Sequence, residues 1–118
     1  MVTAYIPEAG DIVVLDFDPQ AGREQAKRRP ALVLTDMRYN CASGLAIVCP
    51  LTSQRKPYPF ALPVTVGKVE GAILVDQLKS MDWAGRNAEF HSKAAPKMLA
   101  TVRQYIGVLL AIPAGRRG

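Results

Sequence analysis

Short apolar runs bounded by turn residues and polar loops make up most of this chain, and near its end the apolar positions change to spacings of three and four. Gly10-Asp11 opens a strand over IVVLDF (12–17), in which Ile12, Val14 and Asp16 face one way and Val13, Leu15 and Phe17 the other. Asp18-Pro19 ends it, and the polar stretch Gln20–Arg29 with Gly22 reads as a long loop. ALVLT (31–35) and LAIVCPL (45–51) are the second and third strands, joined by a short segment with room for a turn of helix. A second polar loop, TSQRKPYP (52–59), follows. FALPVTV (60–66) and AILV (72–75) are further strands, and 86–91 one more. Pro63 within its run marks an edge or a bulge. Leu99, Val102, Ile106 and Leu109 then fall on one helical face, with Ser92 a candidate N-cap, Pro96 in the first turn, and Pro113 and Gly115 as stops. Short strands closed by one helix predict a mainly β fold, a small β-barrel rather than a βαβ unit.

Composition narrows the class. With 118 residues, 49% hydrophobic and 21% charged, this is one domain over residues 1–118, able to bury roughly two thirds of its unfolded surface. Fifteen Lys and Arg against ten Asp and Glu leave a net charge of +5, which favours polyanionic partners such as nucleic acid. The apolar run from Gly107 to Pro113 is too short for a membrane span, and MVTAYIPEAGD has none of the regions of a signal peptide. The expectation is a cytoplasmic protein without membrane contact, its two cysteines, Cys41 and Cys49, reduced.

Elimination then directs attention to the loops. One histidine and two cysteines eight residues apart do not make a metal-ligand pattern, and no phosphate-binding or nucleophile-elbow motif is present, so no cofactor is expected. His91 reads as a surface or strand residue. What remains is two polar loops beside strand ends. The first holds Glu24, Lys27, Arg28 and Arg29; the second holds Thr52, Ser53, Gln54, Arg55, Lys56 and Tyr58. Cations interleaved with aromatic rings suit single-stranded nucleic acid, where charge follows phosphate and rings stack on bases.

Four segments in order, GDIVVLDFDP, EQAKRRPALVLT, CPLTSQRKPYPF and VDQLKSMDW, closely resemble the MazF/PemK family of toxin ribonucleases, from about Tyr5 to Leu110. The resemblance implies an SH3-like barrel with a C-terminal helix, a homodimer, and metal-independent cleavage of single-stranded RNA. It also implies a cognate antitoxin whose acidic, poorly ordered segment lies across the RNA groove. Carried over residue by residue, Arg29 matches the arginine needed for cleavage, Thr52 the hydroxyl residue at the centre of the site, and Glu24 an acidic loop position. Lys27, Arg28, Ser53, Gln54, Arg55, Lys56 and Tyr58 fall in the two loops that contact RNA, and Arg28 occupies a position that differs among members. Lys79 and Arg86 look like outer phosphate contacts, while Asp76 and Gln77 fit the family's turn and approach bases.

The residue types suit that chemistry. Cleavage without a metal proceeds by attack of the 2′-OH on the adjacent phosphorus and needs a base, cationic help, and a proton for the departing 5′ oxygen. Glu24, the carboxylate of the first loop, is the candidate base. Arg29 offers a planar fork for two phosphoryl oxygens but holds its protons too tightly to be the acid. Thr52 would donate to a phosphoryl oxygen. Structural alternatives stand beside these roles: Thr52 as a turn cap and Glu24 as a solvated partner of Arg28. Two other functions compete, a gyrase-poisoning toxin of the same barrel and an RNA-binding module without catalysis.

Overall fold

The structure, a computed structural model, describes residues 5–17, 28–53 and 59–113. Seven antiparallel strands and two helices follow in the order β1 (Asp11–Asp16), β2 (Arg28–Val33), α1 (Met37–Ser43), β3 (Ala46–Thr52), β4 (Ala61–Val66), β5 (Val69–Leu74), β6 (Lys79–Met81), β7 (Glu89–Lys93) and α2 (Pro96–Leu109). The sheet runs β4-β5-β3-β2-β1-β7, with β6 also paired to β3. It curls because β3 changes partners along its length. Ala46 to Val48 pair with β6, whereas Leu51 and Thr52 pair with Ile73 and Ala72 of β5. Pro50, which has no N–H, falls between the two pairings. A single 3₁₀ turn, Val75–Gln77, connects β5 to β6. The result is an open half-barrel, mainly β, closed on one side by α2.

Alternation along β1 divides the core in two. Ile12 joins Leu32, Cys49, Leu51, Ile73, Val75 and Val102 on the face covered by the helix. Val13 and Leu15 join Ala31, Val33, Val48 and Met81 on the other, with Phe17 and Trp83 at its margin. The helical face of α2 is Met98, Leu99, Val102, Tyr105 and Ile106. Leu109, expected on that face, is the last helical residue and is half-buried there, between exposed Val108 and Leu110. Pro63 does sit on an edge, since β4 ends the sheet order.

Several local expectations are corrected. Ser92 lies inside β7 and caps nothing; Ala95 is the N-cap, without a side-chain bond, and Pro96 follows it at the first turn. The turn of helix between β2 and β3 is the two-turn α1, capped by Asp36, whose Oδ1 accepts from the N–H groups of Arg38 (2.9 Å) and Tyr39 (3.2 Å). The second strand begins at Arg28, not Ala31. Short β6 reads KSM, too brief to show alternation.

Buried polar groups tie the connections to this frame. Asn40, fully buried, donates to the carbonyls of Pro7 and Thr35, both at 2.8 Å, and Trp83 Nε1 donates to the Asn40 carbonyl at 3.0 Å. Buried Asp11 accepts from the Glu8 N–H, the Tyr5 hydroxyl and Lys93 Nζ (2.5 Å). Burial, then the bond to Asp11, pushes the Tyr5 phenol pKa up. Among the described residues, no helix is long and apolar enough to cross a membrane.

Candidate active site

The EQAKRRPALVL segment carries its last two arginines into β2, and the strand separates their roles. Arg28 pairs across β1 with Asp16. Its Nη1 donates to Asp16 Oδ1 at 2.9 Å, and its Nη2 meets the carbonyls of Val14 (3.0 Å) and Asn87 (2.9 Å) and Glu89 Oε1 (3.3 Å). That guanidinium is held by β1, β7 and the turn before β7. Asp16 in turn accepts from Asn87 Nδ2 at 2.9 Å. The bonds from Asn87 and Arg28 hold its carboxyl pKa below the ordinary value of 3.8.

Arg29, one position on, points to the other face of the sheet. Its guanidinium carbon lies 5.8 Å from the centre of the Phe17 ring, and Lys79 Nζ lies 5.5 Å from the same ring. Phe17 thus gathers two cations at the end of β1, each attracted by the ring's negative face. The register of β2 with β3, Ala31 opposite Pro50, carries Arg29 toward Thr52 when continued by two residues.

Both residues line one groove of about 540 Å³. It is lined by Val14, Arg29 and Pro30, by Leu51, Thr52 and Ser53, and by Val64, Val66, Gly71 and His91. The backbone of β5 approaches β3 there so closely that a Cβ on Gly71 would meet the Thr52 carbonyl oxygen at 2.2 Å. Only glycine permits that approach. The groove is lined by apolar Val14, Pro30, Leu51, Val64 and Val66 together with polar Arg29, Thr52, Ser53 and His91, the usual make-up of a ligand site.

The sequence-level candidates divide accordingly. Arg29, Thr52 and Ser53 come together in the groove, and Lys79 stands beside Arg29 across Phe17. Arg28 is committed to the ion pairs described above. The sequence reading puts Arg86 among outer phosphate contacts; its Nη1 donates to the carbonyls of Asp16 (3.0 Å) and Phe17 (2.9 Å), so that donor acts within the fold. Asp76 and Gln77 belong to the 3₁₀ turn and do not line the groove. Glu24, Lys27, Gln54, Arg55, Lys56 and Tyr58 lie outside the described residues. Two groove or rim residues escape a linear reading. Phe17 is visible only as the aromatic of the first motif, and His91 only as the single imidazole. Among the described residues, no three His, Cys, Asp or Glu side chains gather to hold a metal.

Comparison with known proteins agrees with this fold. The chain is 40% identical over 110 residues to the endoribonuclease toxin MazF of Escherichia coli K12, which covers 93% of this chain and 99% of that protein. The crystal structure of MazF from Deinococcus radiodurans superimposes with a TM-score of 0.80 at 48% identity, over 92% of this chain and all of that one. A MazE-MazF crystal structure from the same organism gives a TM-score of 0.84 at 47% identity, over 93% of this chain and all of that one. Residues 8–110 match the profile of PemK-like, MazF-like toxins of type II toxin–antitoxin systems. With the curled sheet, the C-terminal helix and the segments that build the groove all accounted for, the chain belongs to the PemK/MazF toxin family.

Proposed function

We propose that this chain is the toxin of a type II toxin–antitoxin pair and a sequence-specific endoribonuclease that cuts single-stranded messenger RNA in the cytoplasm. The observation that carries the reading is the meeting of Arg29, Thr52 and Ser53 in a groove large enough for nucleotides. In this mechanism the substrate's 2′-OH attacks the adjacent phosphorus, the 2′ O–P bond forms and the P–O5′ bond breaks. Arg29 places its fork on the phosphoryl oxygens and stabilises the charge that grows there. The Thr52 hydroxyl donates to one of those oxygens and orients it. Glu24, in the first loop, takes the 2′ proton. No metal is required, because the arginine supplies the charge and the RNA its own nucleophile. Lys79, held beside Arg29 by Phe17, contacts a flanking phosphate.

Two copies pair into a homodimer, and an antitoxin with an acidic, poorly ordered segment blocks the groove by replacing phosphates on Arg29, Lys56 and Lys79. Its binding weakens as salt rises, for the same reason that RNA binding does.

The test is cleavage of a synthetic RNA in EDTA. The expected products carry a 2′,3′-cyclic phosphate and a 5′-OH, and a 2′-deoxy sugar at the scissile nucleotide should bind uncut. Strict dependence on magnesium, or 5′-phosphate ends, would overturn the mechanism. RNA binding without any cleavage would favour the non-catalytic module.

A further inference from the structure

The cleavage proposed above needs a proton for the departing 5′ oxygen, and none of Arg29, Thr52 and Glu24 supplies it. A guanidinium gives up its proton only above about pH 12. A threonine hydroxyl is a still weaker acid, and the carboxylate acts on the other proton. Imidazole is the side chain type that both carries and releases a proton near neutral pH.

The protein's sole imidazole is in the groove. His91 lines it together with Arg29 and Thr52. Its place on β7 is unusual. Ile12 of β1 pairs with Ser92 and the next residue, Val13, pairs with Phe90, so His91 is the extra residue of a β-bulge. A bulge bends the strand and re-aims the side chain that it carries, and bulges concentrate beside active sites. The ring is also steadied: Nδ1 lies 3.0 Å from the Ser92 hydroxyl, and Nε2 has no hydrogen-bond partner among the described residues. Nearby charges are already engaged. Glu89 pairs with Arg28, and Lys93 with Asp11, so that among the described residues Arg29 is the charged group lining the groove with the imidazole.

We propose that His91 is the general acid of this ribonuclease and is a catalytic residue alongside Arg29 and Thr52. As the 2′ oxygen bonds to phosphorus and the P–O5′ bond breaks, Nε2–H of the imidazolium passes its proton to O5′. The ring becomes neutral and the product leaves with a 5′-OH. Ser92 keeps the ring oriented through Nδ1. The role rests on the nuclease reading, and the experiment separates the two.

A long single-stranded viral RNA, incubated with the wild-type protein in EDTA, locates a junction that is cut. Two oligonucleotides spanning it are then compared under single-turnover conditions, one with the natural 5′ oxygen and one with a bridging 5′ sulfur, whose thiolate leaves without a proton. His91→Ala and His91→Gln should slow the oxygen substrate by about 10² to 10⁴. Both variants should cut the sulfur substrate at nearly the wild-type rate and bind the 2′-deoxy oligonucleotide as the wild type does, with unchanged melting curves. Equal slowing of both substrates would reduce His91 to a binding or structural residue, and a wild-type rate on the oxygen substrate would remove it from the reaction. Either result leaves the nuclease reading intact. A wild-type protein that cuts no RNA would overturn that reading and the His91 role together.

Discussion

Gly71→Ala tests whether the groove depends on how closely two strands approach. An alanine Cβ at this position would stand 2.2 Å from the Thr52 carbonyl oxygen, 3.2 Å from its carbon and 3.4 Å from Ser53 Cα. All three atoms are backbone, so no side chain can swing aside. Restoring an ordinary contact requires β5 and the end of β3 to part by about 1 Å or more, close to the pairing of Thr52 with Ala72. Overpacking of this kind costs about 1–3 kcal/mol. With an unfolding entropy of about 2.1 cal/mol/K per residue, 118 residues give about 0.25 kcal/mol/K, and Tm should fall by about 4–12 °C. Displacing Thr52 by that distance should slow cleavage by about 10², well beyond the stability loss at a temperature where the variant remains folded. Thermal melts and single-turnover cleavage at 25 °C measure both. Gly107→Ala is the control. Nothing lies within 4 Å of its Cβ, and it sits inside α2, where alanine is the better residue by about 0.5–1 kcal/mol. It should raise Tm by about 2–4 °C and leave cleavage unchanged. Wild-type melting and cleavage in Gly71→Ala would refute the close approach of β5 to Thr52.

Three further expectations follow from named contacts. Arg29→Lys keeps the charge and loses the fork, so cleavage should fall by about 10² to 10³ with little change in RNA affinity, whereas Lys79→Ala should weaken binding and flatten its salt slope by roughly 0.7; equal small losses in both would mean that Arg29 is an ordinary surface cation. The carboxyl of Asp16 has its pKa lowered in the fold, so its stabilising effect is complete above the unfolded value of 3.8 and disappears as pH falls through the lower folded value. The Tm gap between wild type and Asp16→Asn should therefore be constant at neutral pH and close in acid, and a gap that persists unchanged into strong acid would contradict the ion pair. Cys49 is buried, its thiol pKa pushed up to about 12 by burial and then by Asp76, while Cys41 is exposed; a thiol reagent at neutral pH should modify Cys41 in the folded protein and reach Cys49 only after denaturation.

The long strands were legible in the sequence because a short apolar run bounded by turn residues is a local signal. Ile12 to Leu15 and Leu45 to Leu51 announce themselves without knowledge of their partners. What could not be read locally is what distant segments do to one residue. Arg28 and Arg29 are adjacent cations on paper, but Arg28 meets Glu89, 61 residues away, and Arg29 does not. Arg86 is satisfied by carbonyls 69 and 70 residues back. The bulge at His91 exists only in the register of β7 against β1, which no spacing in β7 reveals. Ser92 has the right residue type for a cap, yet the strand extends through it because its partner on β1 is Ile12. Arg29, Thr52 and Ser53 were identified through resemblance, and the structure places all three on one groove.

The pairing of β1 with β7 has a consequence for how the toxin comes into being. Asp11 and Lys93 meet across 82 residues of chain, so the first strand stays incomplete until the seventh has been made. Contacts this distant in sequence form late and slowly, since a long loop must close before they contribute. The groove draws its walls from β1 through β7, which means that no earlier stretch of a growing chain contains it. A polypeptide still attached to the ribosome short of residue 91 lacks the wall that carries His91. In a cell making this protein, the groove is therefore complete only once β7 has been translated.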